Sequence, residues 1–263
     1  MTVRLVATDL DGTLLDPDGK VTERTRDALV AVEEAGIAVV FVTGRPLRWA
    51  EEVFEHVGGH GLAILSNGAV VWDVAASALR TLRAIDPVAG LEVAALIREA
   101  VPGSAFAVEQ LSGISLEPGF MARSTNAELG RRGPLPTIFD GPAVKLLARH
   151  EDLDPQEFWD RAMAAVGDRV VVTWSSTSAL LEISAAGVTK ATTLALLCAE
   201  RGIAADEVLA IGDMPNDIAL LEWAGTSYAM GNAHPTVTAV ADHVAAGNDD
   251  DGVARVLEGL LHG

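Results

Sequence analysis

The chain has 263 residues, 49% of them hydrophobic, and its 37 acidic against 19 basic residues give a net charge of -18. That length suffices for one large domain or two smaller ones, and the negative charge disfavours binding to nucleic acid or anionic membranes. No segment has the length of a membrane span, and no signal-peptide pattern is present. We therefore expect a cytoplasmic protein without nucleic-acid or membrane partners; the sequence specifies no oligomeric state.

The two outer thirds of the chain alternate apolar strand patterns with helical patterns. In the first third, strands are predicted at residues 3–9, 37–42 and 62–65, and helices at residues 22–35 and 46–57. In the last third, strands are predicted at residues 208–211 and 226–230, and helices at residues 189–201, 216–223, 234–240 and 252–261. Continuous apolar strands separated by helices predict an α/β fold with a parallel sheet covered on both faces.

The middle of the chain has a different pattern, with two helices among clustered short strands. Helices are predicted at residues 86–100 and 154–166, and strands at residues 104–108, 114–117, 144–149, 169–174 and 180–183. This arrangement is typical of an α+β unit with an antiparallel sheet. We predict a main domain made of residues 1–81 and 186–263, and an inserted domain made of residues 82–185, with hinges at the two junctions.

Two carboxylates directly follow the first predicted strand. Asp9 and Asp11 lie where this strand ends, and ligands of open α/β sheets bind at that edge. Residues two apart in a strand share a face, so the two carboxylates are expected to converge on one point. Two converging acids repel each other unless a cation or a shared proton intervenes. The pair therefore indicates metal-assisted chemistry.

Two groups suited to phosphate occur further along the chain. Thr43-Gly44-Arg45 follow the second predicted strand, and the Thr43 hydroxyl with the backbone N–H groups of this turn suits a phosphate oxygen. Lys190 lies one residue into the helix predicted at residues 189–201, where its ammonium is a compact cation positioned for an anion. Taken singly, the first group is an ordinary turn and the second a surface lysine.

A third group follows the strand predicted at residues 208–211. Asp213 is placed to bind a metal, and Asn216 and Asp217 lie at a helix N-terminus, which favours negative ligands. This group alone is also consistent with a turn and helix caps. The combination is decisive, because independent strand ends that each offer a group for a metal phosphate do not arise together by chance.

These motifs closely resemble those of the haloacid dehalogenase (HAD) superfamily and, within it, the Cof-type phosphatases of subclass IIB. The four matching motifs are residues 9–15 (DLDGTLL), residues 43–46 (TGRP), Lys190, and residues 212–217 (GDMPND). Further similar segments are residues 66–69 (SNGA), 229–233 (AMGNA) and 248–254 (NDDDGVA). Ala191 stands where relatives usually have glycine; since alanine is the better helix former, we expect no loss of function.

The resemblance implies a Rossmann-like core with an inserted α+β cap of the C2B type. It also implies a Mg²⁺-dependent phosphatase that acts on a small phosphorylated metabolite, such as a sugar phosphate or a nucleotide-like compound, through an aspartyl-phosphate. The implied roles are Asp9 as nucleophile; Asp11 as acid and base; Asp9, Asp213 and the Asp11 backbone carbonyl as Mg²⁺ ligands; Thr43, Gly44, Lys190 and Asn216 as phosphate contacts; and Asp217 and Arg45 as supporting residues, with Asp217 orienting Lys190 or a metal-bound water.

Alternatives are open for the activity and for the role of one cluster of cations in the inserted region. A phosphomutase or phosphotransferase shares this chemistry, and a regulatory protein could keep the fold without turnover. Dehalogenation is disfavoured, because a halide leaving group needs no proton and dehalogenases lack an acid at the position of Asp11. In the inserted region, Arg123, Arg131 and Arg132 form a cluster of cations that is either solvated surface or a contact to a second anionic group of the substrate.

Overall fold

A computed structural model describes residues 2–54, 61–121, 130–174 and 179–262. The chain forms two compact units, Met1–Thr81 with Thr189–Gly263, and Leu82–Val188. No helix in the described residues combines the length and apolar composition that crossing a membrane would require.

The smaller unit interrupts the larger one along the chain. The larger unit begins with β1 (Leu5–Thr8), α1 (Glu23–Glu34), β2 (Ala38–Val42), α2 (Leu47–Phe54), β3 (Leu62–Leu65), β4 (Val70–Asp73) and β5 (Ala78–Leu82). The smaller unit contains α3 (Pro87–Ala100), β6 (Ala105–Gln110), β7 (Gly113–Leu116), β8 (Arg131–Arg132), α4 (Leu135–Ile138), β9 (Lys145–Arg149), α5 (Pro155–Val166), β10 (Val170–Thr173) and β11 (Leu180–Ala185). The larger unit resumes with α6 (Lys190–Glu200), β12 (Val208–Gly212), α7 (Ile218–Trp223), β13 (Thr226–Ala229), α8 (Pro235–Thr238), β14 (His243–Val244) and α9 (Gly252–His262).

The predicted α/β fold is confirmed, but the sheet of the larger unit is mixed. Its strand order is β14-β13-β12-β1-β2-β3-β4-β5, and the strands from β14 to β3 pair in parallel. β3 and β4 pair antiparallel, so the expectation of a wholly parallel sheet is wrong at this edge. The reason is local: the chain reverses within Ser66–Ala69, which is far too short for the crossover that a parallel pairing needs.

The centre of this sheet is fully buried. β1 lies between β2 and β12, and its residues Leu5, Val6 and Ala7 are each 0% exposed, as expected for a strand covered on both faces. On one face, Leu5 and Ala7 pack in one core with residues of α6, among them Cys198. Burial raises the pKa of the Cys198 thiol to about 11, so this cysteine is a packed core residue.

The smaller unit is a two-layer α+β structure. Its sheet has the order β10-β11-β9-β6-β7-β8 and is antiparallel except for the β7–β8 pair. α3 and α5 pack against each other and share one core with alternate residues of the sheet, such as Phe106. Both helices begin in the same way, because Asp86 and Asp154 accept hydrogen bonds from the first turn and a proline follows each of them.

Candidate active site

The predicted site residues of the larger unit lie at the carboxyl ends of adjacent strands. Asp9 follows β1, Thr43 follows β2 and Asp213 follows β12. Because β1 lies between the other two strands, these three ends are neighbours. Ligands of open α/β sheets bind at such an edge, so the sheet order alone brings the three groups together.

Lys190 is the centre of a buried ionic cluster at this edge. Its Nζ donates to Asp9 Oδ1 at 2.8 Å and to Asp217 Oδ1 at 2.6 Å, and its side chain is 1% exposed. The local sequence fixes this position: Thr189 caps α6 and forms a reciprocal capping box with Thr192, so the helix begins at Lys190. The lysine therefore joins the end of β1 to the turn that follows β12.

Asp213 is held against the turn that follows β1. Thr13 Oγ1 donates to Asp213 Oδ1 at 2.9 Å. Gly12 has φ +73°, and a Cβ atom on it would lie 2.3 Å from Asp213 Oδ2. Only glycine combines this backbone conformation with such a close approach. Asn232 secures the same turn, since its Nδ2 donates to the Gly12 carbonyl at 2.8 Å.

The electrostatic environment opposes ionisation of Asp9 and Asp213 and favours the charge of Lys190. Burial raises the pKa of Asp9 well above its ordinary value, although Lys190 opposes this shift. Burial, with the nearby Asp217 charge, raises the pKa of Asp213 to about 6. Burial lowers the pKa of Lys190, but Asp217 and Asp9 together outweigh it and the net shift is upward. Three acids thus surround one cation.

The same acids fit a divalent metal ion. Carboxylate oxygens of Asp9, Asp213 and Asp217 lie within 4.8 Å of one another. Asp217 already accepts hydrogen bonds at both oxygens, from Lys190 and from the backbone N–H groups of Asp213 and Met214. By contrast, Asp9 Oδ2 and Asp213 Oδ2 accept none from the described part of the chain. Two available carboxylate oxygens in a site with excess negative charge suit a hard cation such as Mg²⁺.

Asp11 does not share the position of Asp9. Arg45 holds its carboxylate with two hydrogen bonds, from Nε to Oδ2 at 2.8 Å and from Nη2 to Oδ1 at 2.6 Å. The Asp11 side chain is 57% exposed, whereas that of Asp9 is 6% exposed. β1 ends at Thr8, so the strand period of two does not itself set the direction of the Asp11 side chain. The Asp11 charge nevertheless acts on Asp213, and Arg45 is influenced by both Asp11 and Asp9.

Thr43 directly follows β2, and its hydroxyl accepts a hydrogen bond within the turn that it begins. The residue is 0% exposed, and its Oγ1 accepts a hydrogen bond from the Arg45 backbone N–H at 3.0 Å. Gly44 lies between them in this tight turn. Because the hydroxyl acts as an acceptor here, its own hydrogen remains available to a ligand oxygen.

Three further residues of the site make contacts that the sequence did not predict. Thr13 orients Asp213, Asn67 accepts from Asn216 Nδ2 at 3.1 Å, and Asn248 donates to the Leu15 carbonyl at 2.8 Å. Their place in the sequence is the one feature that could have indicated them, because each lies within a segment that resembles a family motif. Their partners lie far away in sequence and could not be identified from spacing.

The cluster of cations in the smaller unit is partly described. Arg123 lies outside the described residues. Arg131 is half exposed and donates to Asp140 Oδ2 at 2.9 Å, while Arg132 is exposed. The ion pair of Arg131 favours the interpretation as solvated surface.

Comparison with known proteins gives consistent matches along the whole chain. The family model described as haloacid dehalogenase-like hydrolase matches residues 6–257. A 5-amino-6-(5-phospho-D-ribitylamino)uracil phosphatase of Bacillus subtilis is 29% identical, over 97% of this chain and 94% of its own length. A pyridoxal phosphate phosphatase of Escherichia coli is 27% identical, over 98% of both chains.

The fold has solved counterparts. A sugar phosphatase of HAD subclass IIB with a solved structure superposes with a TM-score of 0.79, covering 98% of this chain and 100% of its own, at 20% sequence identity. The matched length includes residues of both compact units.

Proposed function

We infer that this chain, which belongs to the family of haloacid dehalogenase-like hydrolases, removes the phosphoryl group from a small phosphorylated metabolite. The observation that carries the proposal is the buried cluster in which Lys190 bonds both Asp9 and Asp217. Burying charged side chains is destabilising, so three buried acids around one lysine are not expected in a protein without a catalytic role. Phosphoryl transfer uses both parts of this cluster: a cation that offsets the charge of the phosphate, and a carboxylate that attacks phosphorus.

Asp9 is proposed as the nucleophile. Its Oδ1 is held by Lys190, and its Oδ2 accepts no hydrogen bond from the described residues. Oδ2 therefore has a lone pair available for attack on phosphorus, which forms an aspartyl-phosphate and releases the alcohol. Lys190 reduces the repulsion between the two anions in this step. The Thr43 hydroxyl, the Gly44 N–H and the Asn216 amide are proposed to bind the phosphoryl oxygens.

Asp11 is proposed to move protons. It would protonate the departing oxygen and then accept a proton from the water that hydrolyses the aspartyl-phosphate. Arg45 holds both oxygens of its carboxylate and is itself anchored through Nη1 to the Trp49 carbonyl at 3.1 Å. The guanidinium therefore fixes the position of Asp11 at the edge of the site.

Asp9, Asp213 and the Asp11 backbone carbonyl are proposed to hold Mg²⁺. When bound, the ion supplies positive charge that offsets the phosphate and the acids. The residues are suited to it because Asp213 Oδ2 and the second lone pair of Asp9 Oδ1 can hold the ion while Asp9 Oδ2 attacks, and the three buried acids lie within 4.8 Å of one another around one ammonium.

The raised pKa of Asp213 predicts that the effect of Mg²⁺ on the stability of the protein depends on pH. The raised pKa of Asp213, about 6 against 3.8, means that its stabilising contribution is complete below pH 3.8 and is lost as the pH rises through 6. Without metal the protein is therefore less stable near neutral pH. Mg²⁺ at about 100 times its Kd should restore about 2.7 kcal/mol and raise Tm by roughly 5–10 °C.

Calorimetric titration of the chelator-treated protein measures the same effect directly. Since protonation of Asp213 competes with the ion, the apparent Kd for Mg²⁺ should be about 10-fold weaker at about pH 5 than at about pH 7.5. NaCl at equal ionic strength is the control and should leave Tm within about 1 °C. Equal Mg²⁺ affinity at both pH values would contradict the assignment of Asp213 as a ligand.

The smaller unit is proposed to act as the cap that selects the substrate. Closure of such a unit over a reaction site excludes water and adds contacts to the part of the substrate that leaves. The two curated relatives act on different compounds, yet both substrates named for them are small phosphate monoesters. We therefore propose that class and assign no single compound.

The function is tested by release of inorganic phosphate from a panel of phosphorylated metabolites, with Mg²⁺ and with chelator. We expect Mg²⁺-dependent release in buffer alone, with kcat/KM differing among the compounds. Phosphate release only after addition of a hydroxyl acceptor, or transfer to that acceptor, would indicate a phosphotransferase instead. Absence of turnover from folded protein in every condition would indicate a regulatory protein.

A further inference from the structure

The turn after β3 has an uncommon backbone conformation. Ser66, Asn67 and Gly68 are consecutive residues with φ of 50°, 57° and 108°. Left-handed conformations are uncommon for residues other than glycine, and they persist where the surrounding structure determines them fully. All three residues are buried. This turn is therefore held in place by its neighbours.

Hydrogen bonds hold this turn both to the residues that follow β2 and to α6. The Ser66 N–H donates to the Arg45 carbonyl at 3.0 Å, and the Asn67 N–H donates to the Thr43 carbonyl at 3.1 Å. On the other side, Thr193 Oγ1 of α6 donates to the Gly68 carbonyl at 2.7 Å. A Cβ on Gly68 would lie 2.2 Å from the Thr189 carbonyl oxygen, so only glycine fits there. The turn thus links the end of β2 to the helix that begins with Lys190.

The side chain of Asn67 determines the orientation of Asn216. Asn67 Oδ1 accepts from Asn216 Nδ2 at 3.1 Å, which is the only hydrogen bond of the Asn216 side chain within the described residues. Asn216 is 8% exposed, and its Oδ1 is buried without a partner there; the same holds for the Ser66 hydroxyl. Of these two atoms, the Ser66 hydroxyl can donate to a phosphoryl oxygen, whereas Asn216 Oδ1 can only accept and would need a donor such as water.

We propose that Asn67 is a positioning residue that fixes the amide of Asn216 for contact with the phosphoryl group. This inference rests on the proposed function. One Nδ2 hydrogen of Asn216 is taken by Asn67, so the amide plane is fixed, and the second hydrogen is directed to a ligand oxygen. The turn at Ser66–Gly68 is accordingly a further wall of the phosphate site, joined to Thr43 and to the Lys190 helix.

The proposal is tested by a double-mutant cycle between Asn67 and Asn216. Asn67→Gly removes the acceptor and tolerates the left-handed backbone, and Asn67→Ala removes the acceptor while keeping Cβ. With 4-nitrophenyl phosphate, either variant should lower kcat/KM about 10-fold in the natural background, but by less than about 2-fold when Asn216 is already alanine. Calorimetry with inorganic phosphate should give the same pattern in Kd.

Ser77→Gly is the matched control, because Ser77 also has a left-handed backbone, with φ 45°, but lies in an exposed turn. It should leave kcat/KM unchanged. Equal losses from Asn67→Gly in both backgrounds would show a general structural role and overturn the proposal, as would a loss of under about 2-fold in the natural background. If the natural protein itself releases no phosphate, the proposed function fails; the calorimetric cycle then still decides the role of Asn67.

Discussion

Asp9→Asn is expected to abolish turnover while leaving the fold intact. The amide cannot attack phosphorus, so kcat should fall by at least about 1,000-fold, the scale seen when a nucleophile is removed. Stability should not fall, because burial disfavours the charge of Asp9 and raises its pKa, and the variant replaces that carboxylate by a neutral amide of the same shape. The asparagine oxygen can still accept from Lys190, which also keeps its bond to Asp217.

The measurements are kcat with 4-nitrophenyl phosphate and Tm by calorimetry. Asp27→Asn is the control, since Asp27 is exposed on α1 and the same chemical change there should leave both quantities unaffected. Turnover near the natural rate in Asp9→Asn would contradict the assignment of the nucleophile. A Tm lowered by more than about 10 °C would mean that loss of fold, not loss of chemistry, explains the result.

Lys190→Met is expected to lower both activity and stability. Without the ammonium, the carboxylates of Asp9, Asp213 and Asp217 remain buried near one another with no cation. Removing one partner of a buried ion pair typically costs about 3–5 kcal/mol, which corresponds here to a Tm lower by roughly 10 °C. Turnover should fall by at least about 1,000-fold, because the ammonium that offsets the phosphate beside Asp9 is lost.

The response of Tm to Mg²⁺ distinguishes loss of the cation beside the acids from a general loss of stability. The rise in Tm on adding Mg²⁺ should be larger in Lys190→Met than in the natural protein, since the acids then have no competing cation, yet activity should not return. Lys145 provides a matched control: it is buried in the smaller unit and pairs with Glu182 at 3.1 Å. Lys145→Met should also lower Tm, but with an ordinary response to Mg²⁺. An equal response in both variants would contradict a metal site beside Lys190.

Much of the fold and the placement of the site could be predicted from sequence for a simple reason. Apolar runs identify the central parallel strands, and groups that directly follow such strands must meet at one sheet edge. Asp9, Thr43 and Asp213 are all of this kind. The helix that carries Lys190 was predicted as well, at residues 189–201; in the structure it begins at Lys190, because Thr189 is its cap.

Other features depend on contacts that sequence patterns do not encode. The reversal between β3 and β4 arises from left-handed residues at Ser66 and Asn67, which helix and strand propensities do not indicate. β8 and β14 have two residues each, too few for any periodicity. The pairing of Asp11 with Arg45 joins residues 34 positions apart, so spacing along the sequence could not identify it.

The central claim, transfer of the phosphoryl group to Asp9, is tested most directly with Asp11→Asn and 4-nitrophenyl phosphate. This leaving group needs no protonation, so the first step should survive, while hydrolysis of the aspartyl-phosphate should be slow without the base. Rapid mixing should give a burst of about one nitrophenolate per site, and acid-quenched protein should carry a phosphoryl group on Asp9. Steady turnover at the natural rate without a burst, or a phosphoryl group on another residue, would contradict the account.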